Sequence, residues 1–324
     1  MTRPPALVLT AGLGTRLRPL TLLRAKAAVP VNGEPLAVRV ARWLAAQGIH
    51  DQVFNLHHHP ASIASALGDG SALGIRVRFS WEQPLLGSAG GPRHALPLLV
   101  DGGARAFLLV NGDTLTDVNV EAVLGRHHES GARVTMALIT NPAPEKYGGV
   151  TVSADGYVTG FTRPGAATAS YHFIGVQVAE AGVFADLPDG TPSESVAALY
   201  PALMRADPRA IAAFVSDAGF RDIGTARDCL STSLELARLE GDRLVSPRAR
   251  VDADAILERT IVWDDVTVGR GARLVDCILG DGVRIPAGAV YERCAIVPAN
   301  DHAPAPQERI EDGLLLRPLS PATH

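Results

Sequence analysis

Lysine is nearly absent from this chain: of 30 basic residues only Lys26 and Lys146 are lysines, and the rest are arginines. Where arginine fills almost every positive position, a surviving lysine marks a place that favours a compact ammonium over a planar fork. Cysteine is scarce too. Cys229, Cys277 and Cys294 are odd in number and lack zinc-type spacing, which argues against a disulfide framework and against a cysteine zinc site. Aromatic residues make up 5% of the chain, too few for a base-stacking platform. A net charge of −4 speaks against a broad nucleic-acid surface, which needs a basic face. Long apolar runs are missing. The first, Ala6 to Thr10, stops before Gly12, Arg16 and Arg18, too short for a signal-peptide core or a membrane span. Cytoplasmic placement with no membrane partner is the expectation.

What is present is the profile of a soluble globular protein, 47% hydrophobic and 20% charged over 324 residues, long enough for one large and one small domain. Apolar β-rich runs at 6–10, 52–56, 75–81 and 106–110 alternate with helical spacing. Leu36, Val40, Trp43, Leu44 and Gln47 share a helix face behind Pro35, with Gly48 as C-cap; Pro60–Leu67 and a stretch near Pro92–Leu99 read as further helices. This alternation predicts an α/β fold, a doubly wound, mostly parallel sheet whose ligands sit beyond the carboxyl ends of its strands. Gly12 and Asp113 both follow strands directly and fall on that rim.

After about Gly241 the pattern changes. Ile256, Val262, Val268 and Leu274 recur every six residues, and after one five-residue step the phase resumes at Leu279 and Ile285, with glycines between them. This predicts a β-helix of two to three coils. Residues 298–306 are rich in Pro and Ala and read as a linker, the Leu314-Leu315-Leu316 run reads as a strand docking back, and the last few residues are expected to be disordered. The domain expectation is therefore 1–243 catalytic, 244–298 β-helix and 299–324 linker and tail.

The chemistry concentrates in a few stretches. Between Met1 and Gly33 lie Arg3, Arg16, Arg18, Arg24 and Lys26 with no acidic residue before Glu34, a block suited to a polyphosphate. In Ala11-Gly12-Leu13-Gly14-Thr15-Arg16 the glycines let backbone N–H groups approach phosphate oxygens. The third Gly of a dinucleotide fingerprint is missing, and no Gly-Lys-Ser/Thr run follows as in a Walker loop; a plain tight turn is the bland alternative. Asn111-Gly112-Asp113 is a good turn sequence by itself, and a strand-end carboxylate also suits a metal. His57-His58-His59 alternate in direction along an extended segment, poor geometry for one ion, and read as a polar loop. His127-His128 reads as solvated helix surface.

Ala11-Gly12-Leu13-Gly14-Thr15-Arg16-Leu17-Arg18-Pro19, with Lys26 and Pro30-Val31 following, resembles the signature of the sugar-1-phosphate nucleotidylyltransferases, closest to the branch of mannose-1-phosphate guanylyltransferases. Leu86-Gly87-Ser88-Ala89-Gly90-Gly91 resembles the nucleobase loop, Val110-Asn111-Gly112-Asp113 the metal-binding strand end, Lys146-Tyr147-Gly148-Gly149-Val150 the sugar-contacting turn, and Phe220-Arg221-Asp222-Ile223-Gly224 the second metal-ligand stretch. The likeness runs over about 5–240. It implies a Rossmann-like catalytic fold of the nucleotide-diphospho-sugar transferase type with a short left-handed β-helix. By the same resemblance, Arg16, Lys26, Asp113 and Asp222 are catalytic, the two aspartates holding Mg²⁺. Leu9, Ala11, Gly12, Gly14, Thr15, Arg16, Glu82, Gly87, Ser88, Ala89 and Gly112 would contact the nucleotide, and Asn111, Gly148, Gly149, Thr162, Arg163 and Gly175 the sugar phosphate.

The implied reaction joins a nucleoside triphosphate, GTP favoured, to a sugar 1-phosphate, mannose 1-phosphate favoured, by in-line displacement of pyrophosphate. The attacking phosphate oxygen is already anionic, so no Ser or Cys nucleophile is needed; the obstacle is electrostatic. The family usually carries Glu-Lys-Pro where Thr162-Arg163-Pro164 stands here, which loosens the inference about the sugar. Alternatives are a uridylyltransferase acting on an N-acetylated sugar 1-phosphate, and a non-catalytic paralogue that senses nucleotide sugar. An acyltransferase β-helix is disfavoured because 244–298 contains no His. Homo-oligomer formation through the β-helix is a further expectation.

Overall fold

The structure is a computed structural model, and it describes residues 3–319; the tail expected to be disordered lies almost wholly outside them. By its contacts the chain divides into two compact units, one of Met1–Gly12 with Ala37–Arg221, the other of Leu13–Leu36 with Asp222–His324. Contacts thus group the signature segment 13–36 with the β-helix, whereas the sequence boundaries followed chain order.

The first unit is built on a nine-stranded sheet. Ala6–Leu9 lies between Ala106–Asn111 and Asp51–Leu56, both parallel to it, and Arg76–Trp81 continues the parallel half at the edge. The other half is mixed. Tyr171–Glu180 runs antiparallel to Ala106–Asn111 and to Val134–Thr140, Ile211–Val215 pairs parallel with Val134–Thr140, and Gly149–Val152 and Val158–Thr162 form an antiparallel pair. Central strands are continuous apolar runs because they are covered on both faces: Phe107, Leu108, Leu109 and Val110 are at most 2% exposed. Helices Leu36–Ala46 and Pro60–Leu67 fall where their spacing put them. The third begins at Gly87, five residues before the predicted start at Pro92, so the expected nucleobase loop is the first turn of a helix. None of the helices among the described residues is long and apolar enough to cross a membrane.

In the second unit the β-helix coils repeat every 17 residues: Ile256 pairs with Arg273 and that with Val290, Ile261 with Ile278 and that with Ala295, Thr267 with Arg284. Each coil has three faces, and one of its three steps is five residues long. This corrects the first-coil phase. Ile256 is 54% exposed, whereas Val262, Val268, Leu274, Leu279 and Ile285 are buried; Leu257, five residues before Val262, packs inward in its place. The tail docks as expected, with Leu314–Pro318 running antiparallel to Cys294–Pro298.

The signature segment is anchored within this unit. Asn32 N–H donates to Ser233 Oγ at 3.1 Å, and Arg243 N–H donates to Asn32 Oδ1 at 3.1 Å. Arg24 forks onto Asp281 at 2.6 Å and reaches Asp264 at 2.8 Å. Arg18 binds both oxygens of Glu308, each at 3.2 Å, and the Glu308 side chain is completely shielded from solvent. Burial works to raise the Glu308 carboxyl, but the Arg18 bonds, the Ala305 N–H and the charges of Arg18 and Arg317 hold it below its ordinary value. A depressed carboxylate stabilises the fold above its unfolded pKa and loses that contribution as pH falls through the folded one. Glu308→Gln is expected to cost about 1–3 kcal/mol at neutral pH, read as a lower denaturant midpoint, with the gap to wild type closing under acid. An unchanged midpoint at neutral pH would remove this anchor.

Candidate active site

The first unit contributes the rim of its sheet. Where Ala6–Leu9 ends, the N–H groups of Thr10 and Ala11 donate to Asn55 Oδ1 at 2.5 and 3.2 Å, and Thr10 Oγ1 donates to the Asn55 carbonyl. Asn55 Nδ2 in turn donates to Glu82 Oε1 at 2.7 Å, while Glu82 Oε2 accepts from Leu86 N–H at 2.9 Å. Glu82 is 0% exposed. The expectation of a nucleotide contact there gives way to a structural finding: both oxygens are spent inside, and the side chain braces the Leu9–Gly12 turn against the Gly87 loop. Asn55 was missed. Its signal was a polar residue at the carboxyl end of the otherwise apolar Val53–Leu56 run.

Gly87, Ser88 and Ala89 form the opening turn of the Gly87–Leu99 helix. Helix-opening N–H groups need partners, and Ala89 and Gly90 donate to the Ser193 carbonyl at 2.9 and 3.2 Å. Ser88 Oγ donates to Glu194 Oε2 at 2.6 Å and accepts from Ser195 N–H at 2.9 Å. Glu194 places negative charge at a helix N-terminus, where the dipole favours it; nothing in the local sequence pointed to it.

Asn111 ends its strand, and Gly112 N–H closes onto Leu9 O at 3.0 Å, which turns the half-buried Asp113 out at the rim. Gly175 sits at an irregularity in the register of Tyr171–Glu180 with φ 81°, and a Cβ there would stand 2.8 Å from the Asn111 Cβ. Positive φ and close approach both demand glycine. Gly149 pairs across the sheet with Thr162 and donates its N–H to Thr162 Oγ1 at 3.1 Å, so the hydroxyl that replaces the family's carboxylate is bonded to backbone. Arg163 and Gly148 are exposed.

Beside Gly148 lies an aromatic wall that the sequence did not announce. Tyr147 and His172 rings are 4.5 Å apart and His172 and Phe220 rings 4.7 Å, with Lys146 Nζ 4.8 Å from the Tyr147 ring. Burial, aided by the Lys146 charge, pushes the His172 pKa down against a bond to the Gly148 backbone, and its Nδ1 has no partner among the described residues. A neutral imidazole in a ring stack suits the face of a sugar.

The second unit supplies the signature loop. Gly14 is left-handed at φ 61°, and a Cβ on it would lie 2.8 Å from Thr21 Cγ2 and 2.9 Å from Lys26 Cβ. The tight Thr15–Leu17 turn follows, leaving Thr15 and Arg16 exposed. Lys26 is 9% exposed, in keeping with a position that selects a compact ammonium. Asp222 and Arg16 meet at Gly224: a Cβ there would stand 2.9 Å from Asp222 Oδ2 and 3.1 Å from Arg16 Nη1. The basic block is thereby corrected. Arg18 and Arg24 are committed to carboxylates of their own unit, and Arg3 pairs with Glu121.

The histidine runs resolve as follows. His57 Nδ1 lies 3.0 Å from the Glu82 carbonyl, and the His58 and His59 rings pack edge-on, a polar loop. His127 departs from the solvated reading: it is half-buried, bonds Thr135 Oγ1 at 3.0 Å, and burial lowers its pKa. Among the described residues no three of His, Cys, Asp and Glu cluster to hold a metal.

A family model described as nucleotidyl transferase matches residues 5–238, and one described as a GlmU-like C-terminal hexapeptide matches 237–292. The chain is 31% identical to a mannose-1-phosphate guanylyltransferase of Mycobacterium tuberculosis over 89% of its own length and 83% of the relative's. It is 34% identical to an N-acetylmuramate alpha-1-phosphate uridylyltransferase of Neisseria meningitidis, over 61% of this chain and 83% of that one. Among solved structures, HddC from Yersinia pseudotuberculosis complexed with GMP-PN superimposes with a TM-score of 0.61 at 20% identity, covering 72% of this chain and 99% of that one.

Proposed function

Because this chain belongs to the nucleotidyl transferase family, we propose that it transfers a nucleotidyl group from GTP to mannose 1-phosphate, giving the nucleotide sugar and pyrophosphate in the cytoplasm. The observation that carries this reading is the meeting of Arg16 and Asp222 at Gly224, in the unit that also holds the Gly14 turn and Lys26. Arg16 offsets charge growing on the leaving pyrophosphate, and Lys26 draws the reacting phosphates together. Asp113 and Asp222 would hold Mg²⁺, which supplies charge neutralisation when bound. The ordered N–H groups at Thr10 and Ala11 position the loop that receives the nucleotide, and the Tyr147–His172–Phe220 wall backs the sugar.

A second reading has its own support. Thr162 lacks the family's carboxylate, and the Neisseria relative acts, by its name, on an N-acetylated sugar phosphate. A matrix of four NTPs against mannose, glucose, N-acetylglucosamine and N-acetylmuramate 1-phosphates, read as pyrophosphate release, separates them. The strongest turnover is expected for GTP with mannose 1-phosphate. UTP with an N-acetylated partner on top would replace that substrate pair, and silence throughout would favour a nucleotide-sugar sensor.

A further inference from the structure

Both oxygens of Glu82 are spent inside the protein, but a second carboxylate reaches the same loop. Residues 191–195 lie as a strap across the start of the Gly87–Leu99 helix. Ser193 N–H donates to the Leu86 carbonyl at 2.9 Å, and the Ser193 carbonyl takes the Ala89 and Gly90 N–H groups. Ser195 N–H and Ser195 Oγ both donate to Ser88 Oγ, at 2.9 and 3.1 Å. Glu194 is thus fixed from both sides. A π-helical turn, Ser195–Leu199, follows it, a rare form that recurs at functional sites. The bond from Ser88 Oγ accounts for Glu194 Oε2 alone. Oε1 has no hydrogen-bond partner among the described residues. It lies against Gly87, where a Cβ would stand 2.5 Å from it, and Glu194 is exposed.

A chain of hydrogen bonds ties this loop to the turn after the first strand. Thr10 and Ala11 bond Asn55, Asn55 bonds Glu82, and Glu82 bonds Leu86, two residues before Ser88. An ionised carboxylate only accepts, and the bonds it accepts are charge-assisted. Guanine alone of the four bases carries two adjacent donors, N1–H and the 2-amino group, on its pairing edge. Uracil sets one N–H between two carbonyls, and a carboxylate facing such an oxygen is repelled. We propose that Glu194 is a specificity-determining residue of the transfer reaction, its Oε1 accepting from the 2-amino group of guanine and its charge rejecting the carbonyl edge of uracil. The inference rests on the GTP reading of the same site and gives that reading a residue.

The test compares GTP with ITP, which is GTP without the 2-amino group, as Mg²⁺-dependent pyrophosphate release by the full chain with mannose 1-phosphate. Wild type is expected to favour GTP over ITP by about tenfold or more in kcat/KM, the scale of one hydrogen bond to a charged group. Glu194→Ala brings that ratio close to one, lowering GTP more than ITP, and raises UTP relative to GTP. Glu194→Gln keeps the size of the side chain, removes its charge, and moves the ratio the same way. A role in bracing the loop alone lowers every nucleotide by one factor, so a ratio unchanged in both variants overturns the proposal. A wild type indifferent between GTP and ITP overturns it as well. UTP leading in wild type removes the GTP reading and this inference together, whereas GTP leading with an unchanged ratio removes the inference alone.

Discussion

Asp113→Asn is expected to lower Mg²⁺-dependent pyrophosphate release on the order of 10³-fold or more while leaving the chain folded. The substitution keeps size and shape and removes only the charge. The turn that presents Asp113 is made by backbone, through the Gly112 N–H on Leu9 O, so it survives the change. What is lost is a hard anionic ligand at the place where, on our reading, a divalent cation meets the triphosphate, and such a cation contributes several kcal/mol of charge stabilisation. Raising Mg²⁺ should recover part of the rate, because affinity for the ion falls with the charge. Wild-type turnover in the variant at ordinary Mg²⁺ would remove Asp113 from the metal site.

The second large effect is Arg16→Ala, expected to cost about 10²–10³ in turnover, the scale of losing one preorganised charge stabiliser. Arg16 is exposed, yet it is held by a short turn behind the left-handed Gly14 and stands beside Asp222 at Gly224. Preorganisation is what makes such a charge effective as negative charge builds on the leaving group. The loss should appear in kcat as well as in the KM for the triphosphate. A defect confined to the KM for sugar phosphate would move Arg16 to the other substrate.

Much of this site was legible because its signals are local. The Gly12–Arg16 turn, the strand-end Asp113 and the buried runs around them need only a few neighbouring residues to declare themselves. What escaped depends on distant partners. The helix at Gly87 starts early because Ser193 and Glu194 hold its opening N–H groups, and a Gly-Ser-Ala-Gly-Gly stretch alone does not look helical. Arg18 read as a phosphate ligand because Glu308, its partner, lies 290 residues away. Glu82 read as a ligand because its burial and its bond to Asn55 leave no trace in spacing. In the β-helix the six-residue period was visible, but the five-residue step was taken as a single slip, and that misplaced Ile256.

The anchoring of Arg18 by Glu308 also sets an order in time. Ribosomes make Arg18 290 residues before its counter-charge Glu308, so the signature loop is made long before its anchoring is completed. Until Asp264, Asp281 and Glu308 have been synthesised, Arg24 and Arg18 are without the carboxylates that hold them in the finished unit. The loop that carries Arg16 therefore gains its full set of anchors only once Glu308 has been made.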